Sequence, residues 1–266
     1  MMQVFGDDGA RLDVRVDGSG AAAVVLIHGF PLTRDIWHEQ AETLARTHRT
    51  IRPDLRGMGS SRGGDGPYLM ETLAGDVAAT LDAVGIERAA IVGHSLGGYV
   101  ALAFARMFSE RLTHLALICS RLAADTETQA SSRRELADRI EASNSVEPAI
   151  EAYVPRLIAE KTALRRPELV ERVREFARAT SPHGAAAMLR GMAMRDPGDD
   201  IAPDISVPVL VVAGGDDAIV APAEAQENAR AFRHGQFVCV EGSGHLPMLE
   251  VPGKLTEALS GLLARS

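Results

Sequence analysis

Ser95 stands at the centre of Gly93-His94-Ser95-Leu96-Gly97. An apolar run, Ala89 to Val92, leads into it, and an alternating apolar segment, Tyr99 to Phe108, leaves it. That order predicts a strand, a very tight turn and a helix, with the serine at the apex in a strained backbone conformation. Gly93 and Gly97 fit such a turn because the strand and helix backbones pass too close for a side chain. A serine hydroxyl is a weak nucleophile until a base takes its proton. The chemistry on offer is therefore covalent, and it requires a histidine, an acid behind that histidine and a pair of N–H donors for the developing oxyanion.

Eight histidines are available. His38, His48, His114, His183 and His234 lie in polar or helical surroundings and read as surface residues. His28 and His94 are embedded in turns beside the serine, where local hydrogen bonding is the expected task. His245 differs, because Glu241-Gly242-Ser243-Gly244-His245 places it on a flexible loop just past the final strand. It is the candidate base. Val211-Val212-Ala213-Gly214-Gly215-Asp216-Asp217 ends another strand with adjacent carboxylates, of which only one can face the histidine. Asp217 is preferred over Asp216, which would then hold the loop. Candidate oxyanion donors are the N–H groups of Leu96, next to the serine, and Phe30, in a loop past its own strand. Trp37, Met188 and Met192 are candidate pocket residues that core packing would explain equally well.

The elements that must position these groups follow from hydrophobic period. Arg11 to Asp17 alternates and reads as a half-exposed edge strand, whereas Ala22 to Ile27 is an unbroken run suited to a strand buried on both faces. Thr33 or Asp35 is placed to cap a helix running to about Arg46. Thr50 to Asp54, Ala89 to Val92, Leu115 to Cys119, Val207 to Ala213 and Gln236 to Val240 supply further strands. Helices are expected over Leu69 to Val84, Pro222 to Phe232 and Leu255 to Leu263. The fold class is α/β, a doubly wound and mostly parallel sheet, in which ligands bind beyond the carboxyl ends of the strands. From about Ser120 to Pro203 the strand pattern gives way to helical segments, including Pro167 to Arg178 and Pro182 to Arg195. The expected division is a core of residues 1–120 and 204–266 with a helical lid, 121–203, inserted after the sixth strand. The charged residues there, Arg133 and Arg134 among them, read as solvated helix faces.

A composition 46% hydrophobic and 24% charged belongs to an ordinary globular chain of 266 residues. The net charge of −8 argues against nucleic-acid binding and gives no attraction to anionic membranes. Cys119 and Cys239 each lie in an apolar run and read as buried free thiols. With no signal-like N-terminus and no apolar stretch of about 18 residues, the expected location is cytoplasmic. The glycines of Leu55-Arg56-Gly57-Met58-Gly59 are not followed by Gly-Lys-Ser/Thr, so a nucleotide-phosphate loop is not expected. Neither a metal nor a cofactor is implied by residue spacing.

Several motifs together resemble the α/β-hydrolase fold superfamily: His28-Gly29-Phe30-Pro31, Asp54-Leu55-Arg56-Gly57-Met58-Gly59, Gly93 to Gly98, Gly214-Gly215-Asp216-Asp217 and Gly244-His245. They occur in that family's order, nucleophile, acid, histidine, and span nearly the whole chain. The sequence is most similar to its lid-bearing group of small-molecule esterases, 3-oxoadipate enol-lactonases and cofactor-free haloperoxidases. That group places its acid last in Gly-x-x-Asp, which supports Asp217. The resemblance implies two-step acyl transfer on a small ester, or on a lactone, C–C or peroxide substrate, by Ser95, His245 and Asp217. It implies no cofactor and a monomer or homodimer. A hydrolase-fold receptor is the alternative from another class. Haloalkane dehalogenases need an aspartate at position 95, and lipases with a His-Gly-Gly-Gly loop need different residues at 28–31.

Overall fold

The computed structural model describes residues 2–265. Strands β1 (Met2–Phe5) and β2 (Arg11–Asp17) form an antiparallel hairpin at one edge. Strand β3 (Ala23–Ile27) follows, then a 3-10 turn (Arg34–Trp37) running into α1 (His38–Leu44). Next come β4 (Arg49–Pro53), α2 (Met70–Ala83), β5 (Ala89–His94), α3 (Leu96–Met107) and β6 (Leu112–Ile118). Five helices then intervene: α4 (Glu127–Ser143), α5 (Glu147–Leu157), α6 (Glu160–Arg165), α7 (Pro167–Arg178) and α8 (Pro182–Met192). The chain returns through β7 (Val209–Gly214), α9 (Pro222–Ala231), β8 (Gly235–Val240), α10 (Pro247–Glu250) and α11 (Pro252–Leu263).

The eight strands form one sheet in the order β1-β2-β4-β3-β5-β6-β7-β8. From β4 to β8 neighbouring strands run parallel, while β2 meets β4 antiparallel. All five residues of β3 are buried, as an unbroken apolar run in a sheet covered on both faces requires. Each large aliphatic side chain so buried, such as Leu26 or Ile27, contributes about 1.5–3 kcal/mol to folding. In β2 only Leu12 and Val14 are buried, in keeping with its alternation. The edge strand β1 is too short to carry a readable period, and the sequence reading omits it.

Helix starts and stops have local causes. A capping box of Thr126 and Gln129 opens α4, and Asn144, in the left-handed region at φ 45°, ends it. Proline at the first turn begins α7, α8 and α9. Thr33 precedes the 3-10 turn without a side-chain cap bond, and α1 ends at Leu44. Helix α8 stops at Met192 rather than reaching Arg195, and the Arg195 guanidinium turns inward to Asp125, Nη1 to Oδ1 2.5 Å. No helix among the described residues is long and apolar enough to cross a membrane.

Candidate active site

The sheet register carries the candidate groups to one end. Ile27 of β3 pairs with Gly93 of β5, so Phe30 and Leu96 each lie three residues past paired positions. Gly214 of β7 pairs with Val240 of β8, and Asp217 and His245 leave from just beyond them. Phe30, Ser95 and His245 line one cavity of about 40 Å³, with Tyr99, Arg121, Arg133, Tyr153, Leu157, Met192 and Ile219. Of the candidate pocket residues, Met192 is in this wall. Met188 and Trp37 are not: Met188 is fully buried, and Trp37 is fully buried with its ring edge against His94.

Ser95 occupies the apex of the turn at φ 51°, ψ −115°, a backbone region that residues with a Cβ adopt only under strain. Surrounding bonds hold it there. Its N–H donates to the Ile118 carbonyl at 2.9 Å, and its own carbonyl accepts from Gly98 N at 2.8 Å and Ser120 Oγ at 2.8 Å. The flanking glycines are there for space. A Cβ on Gly93 would lie 2.1 Å from the Gly97 carbonyl oxygen, and one on Gly97 2.4 Å from that of Ile27. Leu96 is the first residue of α3, where an N–H has no partner within the helix and faces the positive dipole end.

His245 donates from Nδ1 to Asp217 Oδ2 at 2.8 Å, with both side chains buried. This bond sets the tautomer that leaves Nε2 unprotonated, and Nε2 has no partner among the described residues. The other oxygen of Asp217 accepts from Ile219 N at 2.8 Å and Val220 N at 3.1 Å. Burial works against the Asp217 charge, but His245 and those two N–H groups hold its carboxyl below the usual carboxylate range. Asp216 is exposed, and its N–H donates to the Ser243 carbonyl, which ties the two loops together.

Three further sets of contacts support the site, and those of His94 and His28 are of the local kind expected from the sequence. Glu250 accepts from Gly244 N at 2.8 Å and Ala159 N at 3.0 Å, joining the His245 loop to the start of α6. His94 donates from Nε2 to the His245 carbonyl at 2.8 Å. Burial, then the neighbouring His245, pushes the His94 pKa well down, so it is a neutral positioning group. The glycine-rich loop after β4 braces the Phe30 loop. Leu55 N donates to His28 Nε2 at 3.0 Å, and Asp54 accepts from Arg34 N at 2.9 Å. Arg133 departs from its expected place. It is not a solvated face but a wall of the cavity, donating from Nε to Asp125 at 2.5 Å and from Nη1 to Tyr153 Oη at 3.0 Å.

Cys119, Asp217 and His245 bring three potential ligand atoms within 4.8 Å of one another. The trio suits a metal poorly. Asp217 and His245 already bond each other, and burial, with the Asp217 charge beside it, pushes the Cys119 thiol well above its ordinary value, away from the thiolate that metals bind. Both cysteines are free, and Cys239 is half-buried rather than fully buried.

The chain belongs to the alpha/beta hydrolase fold family, whose model matches residues 22–252. A solved structure of a thermophilic esterase from Thermogutta terrifontis, with malate bound, is 36% identical, with a TM-score of 0.95 over 98% of this chain and 97% of that one. Among curated sequences, 3-oxoadipate enol-lactonase 1 of Acinetobacter baylyi is 27% identical over 96% of this chain and 94% of its own length. RutD of Azorhizobium caulinodans, named as a proposed carbamate hydrolase, is 29% identical over 95% and 94%.

Proposed function

We propose that the protein is a serine hydrolase that cleaves a small carboxylic ester through an acyl-enzyme. The observation that carries this reading is the buried Asp217–His245 bond, which leaves an unprotonated Nε2 in the same cavity as Ser95. His245 takes the Ser95 proton as Oγ attacks the ester carbonyl. The N–H groups of Phe30 and Leu96 receive the oxyanion, and His245 returns the proton to the departing alcohol. Water then repeats the cycle on the acyl-enzyme. Asp217 orients the imidazole and stabilises its protonated form.

Residues 121–203 act in this reading as a lid, since Tyr153, Leu157 and Met192 from that segment wall the cavity. Lactone hydrolysis by the same groups is the second reading, favoured by the likeness to the Acinetobacter baylyi enol-lactonase. The two free thiols agree with a reducing, cytoplasmic setting, and the enzyme is read as a monomer or homodimer. A fluorophosphonate probe should label the protein once, with the added mass on the peptide carrying Ser95. Label on another residue, or none, would overturn the assignment.

A further inference from the structure

We infer that the ester this site accepts carries a carboxylate, and that Arg133 receives it. The inference rests on the serine-hydrolase reading and names its substrate class. Beside the small cavity lies an open groove of about 550 Å³ that shares Arg121, Arg133, Tyr153 and Ile219 with it. Its wall also holds Arg139 from α4, Arg156 from α5 and the carboxylate of Glu135, while Arg121 is paired with Glu224 at 3.0 Å. Arg139 and Arg156 are exposed and have no carboxylate partner among the described residues. A chain of net charge −8 thus lines the approach to its serine with four guanidinium groups. Such a groove raises the local concentration of anions and repels cations.

At the inner end the charge is likewise unbalanced. Asp125 lies between Arg133 and Arg195, bonded to each at 2.5 Å, so one carboxylate serves two cations. Asp125 and Arg195 are each 2% exposed, and Arg195 is further fixed by its guanidinium 4.0 Å above the Tyr99 ring. Arg133 is the member of the trio that also faces both the cavity and the groove. A substrate carboxylate there neutralises the excess cation and gains a charge-assisted bond from a guanidinium already held in place. Attack by Ser95 releases the alcohol part, and water then frees the acyl part. The products are an alcohol and a dicarboxylate when the charge is on the acyl side, or a hydroxy acid and a simple carboxylate when it is on the alcohol side.

The test compares esters with and without a terminal carboxylate. Monomethyl glutarate is set against methyl pentanoate, and acetoxyacetate against propyl acetate, so that the carboxylate sits on the acyl side in one pair and the alcohol side in the other. The expected result is kcat/KM on the order of tenfold higher for the anion in at least one pair. That ratio should shrink toward one in roughly 1 M salt. It should also fall in Arg133→Gln, and in the double variant Arg139→Gln with Arg156→Gln, which alters only exposed side chains and guards against misfolding in the first. Equal rates within both pairs would overturn the inference while leaving ester hydrolysis intact. Inertness toward all four esters would instead remove the ester-hydrolase reading on which the inference rests. Titration of glutarate into Ser95→Ala then decides the anion site: saturable, salt-sensitive binding weakened by the arginine changes supports it, and no binding overturns it.

Discussion

At the scale of single residues, the account depends on proton positions that side-chain bonds fix. Asp217→Asn keeps the size of the acid but presents an amide to His245, which turns the imidazole to the wrong tautomer. We expect kcat on esters to fall by roughly 10³–10⁴-fold with KM little changed. The same carboxyl makes a pH prediction. Its pKa is lower folded than unfolded, so its charge stabilises the fold above the unfolded carboxylate range. That contribution is lost as pH falls through the folded value. Thermal melts should therefore show the wild type losing stability below about pH 4 more steeply than Asp217→Asn. A parallel pair of curves would contradict it.

The elements matter because they place these residues within reach of one another. A methyl group at Gly97 would meet the Ile27 carbonyl oxygen at 2.4 Å, backbone against backbone, with no flexible side chain to yield. Gly97→Ala should therefore yield little soluble protein, or a folded protein without turnover, as circular dichroism and an ester assay would report. Glu250 couples the His245 loop to the start of α6, and Glu250→Gln sets an amide N–H against backbone donors that need an acceptor. The cost is about 1–3 kcal/mol, with Tm lower by about 2–4 °C for each of these and a smaller kcat. This scale was also the most legible in sequence. The buried run of β3, the turn at Ser95 and the loops ending at Asp217 and His245 all announce themselves through period, glycine and chain order. Arg133 and Glu250 did not. A charged residue on an amphipathic helix looks the same whether it meets water or a partner brought from elsewhere by the fold. The partners of Arg133, Asp125 and Tyr153, lie 8 and 20 residues away, and Ala159 lies 91 residues from Glu250.

For the whole molecule, the sheet supplies a fixed floor and, in the proposed reading, residues 121–203 a lid, and the two differ in how they are held. Strands β3, β5, β6 and β7 are buried within a continuous ladder, while α4 to α8 close on one another through α4–α8 and α5–α7 packing. Hydrogen exchange should be slowest in those strands and faster across 121–203. A phosphonate on Ser95 should slow exchange in α5 and α8, which carry Tyr153, Leu157 and Met192. The central claim is that Ser95 is the nucleophile, and turnover of short p-nitrophenyl esters tests it most directly. The account requires wild-type activity and a fall of roughly 10³-fold or more in a folded Ser95→Ala variant. Equal turnover by the two proteins, or inertness of both across esters and lactones, would contradict it.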